Sequence, residues 1–288
     1  MDLAQTFQNC RALHEKAPRL IEEELAFIRD QHIRLIVGDI PPLCFEIAAR
    51  AGVPSVGITN FTWEAIYRAY VEQYPYFTPL ISEMASFYRK ATVGLALPYP
   101  CGMEVFPRRV NIPWIARRSN LGRSAARAKF GLPEAATIVL LSFGGLGLSR
   151  LSLTKLGDLR QFFFVATGDV KKPDGNFAVF SDVQPEYEDL VRAVDLIVTK
   201  PGYGIVADAI AHRVPVLYTD RGDFAEYPFL VQALTELATA EFIPQSELLA
   251  GDIGPHLQRL LTKKVNWPVI ALDGARVAAE KIIALLDD

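Results

Sequence analysis

The chain has 288 residues, of which 50% are hydrophobic and 22% are charged, and its net charge is −3. This composition predicts a globular protein of one large or two ordinary domains, and the lack of a basic block argues against a nucleic-acid partner. The three cysteines, Cys10, Cys44 and Cys101, are widely separated and show no metal-ligand spacing. The sequence has no secretion signal and no apolar run near the ~20 residues of a membrane span. We therefore expect a cytoplasmic protein without a metal centre or a disulfide framework.

Short apolar runs alternate with amphipathic stretches along the chain. The helical spacing predicts helices at 12–31, 42–51, 63–72, 186–193, 203–212, 226–238, 252–262 and 274–286. The apolar runs predict strands at 34–37, 55–58, 93–97, 138–142, 162–166, 177–180, 196–198 and 214–218. Because strands that alternate with helices form parallel sheets covered on both faces, the pattern predicts an α/β fold with doubly wound layers.

A segment between residues 98 and 135 is rich in proline, glycine and arginine and has little periodicity. It predicts a boundary between an N-terminal domain over 1–125 and a C-terminal domain over 126–288. Three predicted strands precede the segment and five follow it, so we expect the first domain to contain an incomplete sheet. Such a sheet has an open edge that a second copy could cover, which makes a homo-oligomer one expectation.

The strand at 196–198 runs into the sequence Pro-Gly-Tyr-Gly at 201–204, which opens the helix at 203–212. Glycines at this turn let a ligand approach the backbone, and the helix start offers unpaired N–H groups and a partial positive charge that suit a diphosphate. Asp208 lies about one turn into the helix, where its carboxylate can accept hydrogen bonds from two ribose hydroxyls. The same residues also fit an ordinary tight turn followed by an acid that stabilises the helix start.

Two further loops follow predicted strands of the second half. Gly144 and Gly145 come after the strand at 138–142, a common place for phosphate contact, although the sequence is not a full GxGxxG and also fits a flexible loop. Asp223 and Glu226 come after the strand at 214–218 and are placed to bind sugar hydroxyls. As an alternative, these two acids cap and begin the next helix.

In the first half, Asp39 follows the strand at 34–37, and Asn60, Thr62 and Trp63 follow the strand at 55–58. Both groups lie at the carboxyl ends of predicted strands, where α/β proteins bind ligands. Asn60 and Thr62 are also common helix caps. The four histidines share no local motif with a nucleophile or a metal-ligand set, so the sequence predicts neither a hydrolase triad nor a zinc site.

The stretch 195–226, with its glycine turn and Asp208, resembles the donor-binding region of GT-B glycosyltransferases, in particular the family 28 branch related to MurG. Residues 60–67 and 200–230 are similar to the glycosyltransferase-like N-terminal region of plant L-arabinokinase and its bacterial stand-alone relatives. The resemblance implies two Rossmann-like domains and transfer of a sugar to an unknown acceptor. The donor would be a nucleotide sugar, expected to be UDP-linked, that acts as a co-substrate rather than as a resident cofactor.

The resemblance also implies roles for single residues. The implied donor-binding residues are Gly144, Gly145, Gly202, Tyr203, Gly204, Asp208, Asp223 and Glu226, and the implied acceptor-side residues are Asp39, Asn60, Thr62 and Trp63. The family opens with a Gly-His-Gly loop that carries the general base, and this sequence has no counterpart of it, which leaves Asp39 as the candidate. The family's acid on the donor helix is usually Glu, whereas here it is Asp208, and Pro201 replaces a small or polar residue.

Two alternatives to a glycosyltransferase follow from these departures. One is a truncated or degenerate relative that binds a sugar nucleotide without turnover, as a regulatory module would. The other is a GT-B enzyme that transfers no sugar, such as a nucleotide-sugar epimerase or hydrolase. The second alternative needs acidic or histidine side chains that converge on the anomeric carbon, and the sequence offers no such set.

Overall fold

A computed structural model describes residues 2–143, 151–168, 171, 174–180, 186–265 and 267–287. Its helices are α1 (Leu3–Glu15), α2 (Ala17–Asp30), α3 (Pro42–Ala51), α4 (Trp63–Arg68), α5 (Thr78–Tyr88), α6 (Arg123–Lys129), α7 (Leu153–Gly157), α8 (Tyr187–Ala193), α9 (Tyr203–His212), α10 (Tyr227–Leu237), α11 (Gln245–Ala250), α12 (Gly254–Thr262) and α13 (Gly274–Asp287). Its strands are β1 (Ile36–Gly38), β2 (Ser55–Phe61), β3 (Val93–Cys101), β4 (Arg109–Asn111), β5 (Thr137–Ser142), β6 (Phe162–Thr167), β7 (Phe177–Phe180), β8 (Leu196–Thr199), β9 (Val216–Tyr218) and β10 (Ala240–Phe242). None of the described helices is long and apolar enough to cross a bilayer.

The chain divides into two compact units. Unit 1 comprises Met1–Ile115 together with Asp273–Asp288, and unit 2 comprises Ala116–Leu272. The prediction assigned residues 1–125 to the first domain and 126–288 to the second. In the structure, residues 116–125 belong to unit 2 and residues 273–288 belong to unit 1. The return of α13 to unit 1 has a local cause, because Asp273 bridges to Ile115 and the N–H of Gly274 donates to the Trp114 carbonyl at 3.0 Å. A Cβ at Gly274 would lie 2.1 Å from the Pro113 carbonyl oxygen, so only glycine fits this close approach.

Unit 1 contains a parallel sheet with the strand order β1-β2-β3-β4. Successive strands are neighbours throughout, so the order does not reverse within the described part of this unit. Its core includes the rings of Phe45, Tyr88 and Phe106, with centroids 5.6 Å apart for Phe45 and Tyr88 and 5.4 Å apart for Tyr88 and Phe106. Burial of such aromatic rings supplies much of the apolar contact that a sheet of four strands needs.

Unit 2 contains a parallel sheet with the strand order β10-β9-β8-β5-β6-β7. Numbered within the unit and read from β7, this is the order 3-2-1-4-5-6 of a Rossmann fold. All four residues of β8 are buried, as expected for a central strand that helices cover on both faces. The predicted α/β class with parallel sheets is therefore confirmed.

Some predicted elements differ from the structure. The single helix predicted at 12–31 is wrong, because the chain forms α1 and α2 with a break at Lys16. Pro18 lies in the first turn of α2, where its missing N–H is tolerated, whereas inside a longer helix it would remove a hydrogen bond. The strands β4 and β10 were not predicted, since each is a three-residue strand at the edge of its sheet.

Candidate functional site

The strand order of unit 2 reverses between β5 and β8, which are adjacent in the sheet. From β5 the chain crosses to β6 on one side, and from β8 it crosses through α9 to β9 on the other side. Open parallel sheets bind ligands beyond the carboxyl ends of the strands at such a reversal. Here β5 ends at Ser142 and β8 ends at Thr199, and the Thr199 hydroxyl donates to the Ser142 carbonyl at 2.5 Å. These two strand ends define the candidate site.

The N-terminus of α9 follows β8 and reaches this edge of the sheet. Gly202 is its N-cap residue, with extended backbone (φ −131°, ψ 155°), and no described side chain caps the helix. A Cβ at Gly202 or Gly204 would meet no described atom within 4 Å, and neither glycine has a positive φ. Neither backbone strain nor crowding therefore requires glycine at these positions. Open space above the N–H groups of a helix's first turn is what an anionic ligand needs.

Two side chains near Ser142 were missed by the sequence analysis. The phenol oxygen of Tyr187 lies 2.5 Å from the Ser142 hydroxyl, and the guanidinium carbon of Arg117 lies 5.2 Å from the centroid of the Tyr187 ring. A tyrosine phenol is protonated at neutral pH, and burial raises the pKa of Tyr187 further. The pair adds a cation and a hydroxyl to the end of β5. Neither residue belongs to a recognisable sequence motif. Arg117 also lies in the segment that the sequence analysis assigned to the domain boundary.

Asp208 is 2% exposed and already holds two hydrogen bonds. Its Oδ1 accepts from the backbone N–H of Arg117 at 3.0 Å, and its Oδ2 accepts from Arg117 Nη2 at 2.7 Å. One turn later, His212 Nε2 accepts from the N–H of Ser119 at 3.0 Å, which leaves the proton on Nδ1 for the Asp208 carbonyl at 2.8 Å. Burial lowers the pKa of His212, consistent with a neutral ring. Helix α9 thus holds the segment from Arg117 to Ser119.

The loop after β9 is connected to the glycine turn by an arginine. Arg221 Nη1 donates to the Pro201 carbonyl at 2.7 Å and to Glu226 Oε2 at 3.0 Å, and its guanidinium carbon lies 4.3 Å from the centroid of the Phe224 ring. Glu226 is 3% exposed, whereas Asp223 is exposed. Glu226 is therefore a buried carboxylate paired with Arg221, whereas the carboxylate of Asp223 is accessible to solvent.

The acceptor-side residues of unit 1 lie in different environments. Asp39 is exposed after β1, and Asn60 is buried in β2. Thr62 is fully buried as the N-cap of α4, where its hydroxyl oxygen accepts from the N–H of Ala65 at 3.3 Å and donates to the Gly102 carbonyl at 3.1 Å. Thr62 therefore acts as a cap, the alternative that the sequence left open.

Trp63 lines an apolar cavity of about 210 Å³ in unit 1, together with side chains such as Tyr67 and Met84. The backbone N–H of Trp63 donates to the Tyr88 phenol at 3.2 Å, and that phenol donates to the Ile40 carbonyl at 2.8 Å. The buried phenol of Tyr88 thereby connects the loop after β1 to the start of α4. Among the described residues, no group of three His, Cys, Asp or Glu side chains is placed to hold a metal ion.

Comparisons with known proteins agree with this fold. No family model matches the sequence. L-arabinokinase of Arabidopsis thaliana is 28% identical over 262 residues, which cover 90% of this chain and 25% of that protein, so the chain spans about a quarter of its relative's length. The calicheamicin glycosyltransferase CalG4 has a TM-score of 0.64 and 14% identity, over 100% of this chain and 82% of that one. The fold is that of the GT-B glycosyltransferases.

Two more structures with the GT-B fold are similar. MurG of Acinetobacter baumannii has a TM-score of 0.59 and 14% identity, over 93% of this chain and 78% of that one. The glycosyltransferase VinC in complex with dTDP has a TM-score of 0.56 and 18% identity, over 98% of this chain and 77% of that one. The resemblance to MurG and to L-arabinokinase, predicted from short stretches of sequence, is thus confirmed.

Within this GT-B fold, part of the predicted donor set lies together. Gly202, Tyr203 and Gly204 form the start of α9, and Asp208 lies near the middle of the same helix. Arg221 connects the glycine turn to Glu226. Gly144 and Gly145 lie outside the described residues. The ligand contacts of all these residues remain predictions.

Proposed function

We propose that this protein is a glycosyltransferase whose unit 2 binds the diphosphate of a nucleotide sugar. The observation that carries the proposal is the uncapped, glycine-flanked N-terminus of α9, which lies at the reversal of a sheet with Rossmann strand order. Similarity to glycosyltransferases across 93% or more of this chain supports the same function, as does the dTDP bound to one of them.

The diphosphate would lie over the first turn of α9. The first-turn N–H groups near Gly202 and Gly204 and the positive end of the helix would stabilise an anion there. Charge grows on the diphosphate as the sugar departs, so fixed donors at this place favour the transition state. Arg117 adds a guanidinium beside the end of β5, next to Tyr187.

Carboxylates around the turn would bind the hydroxyls of the donor. A carboxylate offers about four acceptor positions, so the two bonds from Arg117 leave Asp208 with capacity for a ribose hydroxyl. Asp223 is exposed and would accept from hydroxyls of the sugar, and Glu226 would accept beside Arg221. The aspartate side chain is one methylene shorter than the glutamate usual in the family. We therefore expect Arg117 to shift when a ribose hydroxyl binds to Asp208.

The proposed chemistry is a single displacement. The acceptor oxygen bonds to the anomeric carbon while the bond from that carbon to the diphosphate oxygen breaks, and the proton of the acceptor hydroxyl passes to a carboxylate. Asp39 is our candidate base because it is exposed after β1. The cavity at Trp63 would hold an apolar part of the acceptor.

A second candidate is a sugar-nucleotide-binding module without turnover. It is favoured by the sheet of unit 1, whose described strands run in the simple order β1-β2-β3-β4. A sheet without a reversal lacks the crevice in which Rossmann-like units bind ligands. Both candidates require the same nucleotide site in unit 2, and they differ in the transfer step.

Calorimetric titration with UDP, GDP and dTDP tests the shared site. We expect saturable binding of one nucleotide that weakens about ten-fold or more in Gly202→Ala, because the methyl group enters the space over the helix start. Gly122→Ala is the matched control, since Gly122 is also an N-cap glycine in unit 2 with open space at its Cβ position. Equal affinity in the two variants would exclude the α9 site.

Release of the nucleotide from its sugar conjugate then separates the two candidates. A glycosyltransferase releases the nucleotide when a suitable acceptor is added, and Asp39→Asn should slow that release without weakening nucleotide binding. Binding with no release across a panel of apolar and sugar acceptors supports the binding module.

A further inference from the structure

Unit 2 contains a cavity of about 340 Å³ at the opposite end of α9 from the glycine turn. The helix has ten residues, so the two places are roughly 15 Å apart. Arg118, Arg192, Arg213 and His212 line the cavity, and an apolar wall from the stretch 268–272 completes it. The cavity is thus cationic on one side and apolar on the other.

Several arginines of unit 2 are paired with carboxylates. Arg127 and Arg221 each bind a carboxylate, at 2.6 Å and 3.0 Å. Among the described residues, none of the three arginines of the cavity forms an ion pair. Arg192 donates through Nε to the Leu121 carbonyl at 3.3 Å, which fixes its side chain and leaves its two terminal nitrogens for a ligand.

The two carboxylates that interact with His212, those of Asp208 and Asp189, both bind partners that do not line the cavity. Asp189 accepts from the Ser119 hydroxyl at 2.5 Å and from Lys129 Nζ at 2.6 Å. Asp208 is the acid nearest in sequence to His212 on α9, and both its oxygens bind Arg117. Both ring nitrogens of His212 bind backbone groups of the protein. The ring therefore lines the cavity without accepting a hydrogen bond from its arginines. Burial, and to a smaller extent Arg192 and Arg118, lowers the pKa of His212. The cavity therefore holds three cations and a neutral ring.

Arg213 has a left-handed backbone, with φ of 57°, directly after α9. Glycine or asparagine is preferred at this position because the Cβ of most other residues is crowded in a left-handed backbone. A cation at a helix C-terminus is favourable, and this explains Arg213 taken alone. It does not explain why Arg118 and Arg192, from a separate segment and from α8, line the same cavity.

We propose that this cavity binds the phosphoryl group of a small molecule. Guanidinium groups present paired N–H donors that match phosphate oxygens, and three of them compensate a dianion. The apolar wall would cover a compact organic part of the same molecule. The site is separate from the nucleotide site at the start of α9 and does not depend on it.

Calorimetry with inorganic pyrophosphate tests this assignment. The measurement uses Gly202→Ala as the background, so that anion binding at the start of α9 is weakened. We expect one saturable site whose affinity falls about ten- to hundred-fold in the added double variant Arg118→Gln with Arg213→Gln, because charge-assisted hydrogen bonds are lost. Both arginines are exposed, so the fold should be retained. Arg160→Gln is the control, since Arg160 is an exposed arginine of unit 2 outside the cavity.

Modification of arginines by phenylglyoxal, mapped by mass spectrometry, gives a second readout. Pyrophosphate should protect Arg118, Arg192 and Arg213 and leave Arg160 reactive. No binding in the Gly202→Ala background, equal affinity in the double variant and the control, or equal modification with and without pyrophosphate would each overturn the proposal. If UDP, GDP and dTDP do not bind but pyrophosphate still protects the three arginines, only the proposed nucleotide site is excluded.

Discussion

The carboxylate of Asp208 accepts two hydrogen bonds from Arg117, one from the backbone N–H at 3.0 Å and one from Nη2 at 2.7 Å. This pair joins the segment before α6 to the middle of α9. Asp208 is 2% exposed, whereas the Arg117 side chain is about half exposed, so the carboxylate end of each bond is shielded from water. Asp208 is therefore a structural residue of unit 2 as well as our candidate for the ribose contact.

Replacing Asp208 separates these two roles. Asp208→Ala should lower the free energy of unfolding by about 1–3 kcal/mol, because the Arg117 N–H loses its buried acceptor. Asp208→Asn keeps one carbonyl oxygen for that N–H and should lose clearly less stability. Urea denaturation measures both values, and an unchanged midpoint for Asp208→Ala would show that the pair does not hold the segment. If ribose binding also needs the carboxylate, the asparagine variant binds nucleotide several-fold more weakly while remaining folded.

Local periodicity was enough to predict much of the fold. The helices predicted at 42–51 and 203–212 have the same bounds in α3 and α9. The order of the strands could not be predicted, because it depends on pairing between segments far apart in sequence. The contacts of Asp208 with Arg117 span 91 residues and have no local signal. The glycine turn could be found from sequence, since glycine and helix signals are local, but the residues around it could not.

Gly204 offers a test in which stability and binding change in opposite directions. Gly204→Ala should raise the free energy of unfolding by roughly 0.5–1 kcal/mol, because Gly204 lies within α9 and alanine is the better helix former. Its methyl group would meet no described protein atom, so any loss of nucleotide affinity reports on the ligand's position. Thermal unfolding and calorimetry measure the two effects. Gly157→Ala, at the end of α7, is the control for a glycine in another helix. Unchanged nucleotide affinity in Gly204→Ala would argue against our placement of the diphosphate.

Arg221 should be essential for the geometry of the turn. Its guanidinium contacts the Pro201 carbonyl and Glu226 at once and lies over the Phe224 ring. Lysine carries the same charge but lacks the planar fork, so Arg221→Lys should preserve only part of this arrangement. We expect nucleotide affinity to fall several-fold in Arg221→Lys and further in Arg221→Met, measured by calorimetry. Equal affinity for both variants and the native protein would show that the turn keeps its geometry without the bridge.

The thiol of Cys44, in unit 1, should make the free energy of unfolding depend on pH. Burial raises the pKa of its thiol from 9.0 to about 12. The unfolded chain therefore loses this proton at lower pH than the folded protein, and the free energy of unfolding falls as pH rises from about 9 towards 12. Other groups titrate in the same range, so the informative quantity is the difference between the native protein and Cys44→Ala. We expect the native protein to lose about 1 kcal/mol more than the variant for each pH unit above about pH 9, in urea denaturation followed at several pH values. Parallel pH curves for the two proteins would mean that the thiol titrates alike in the folded and unfolded states.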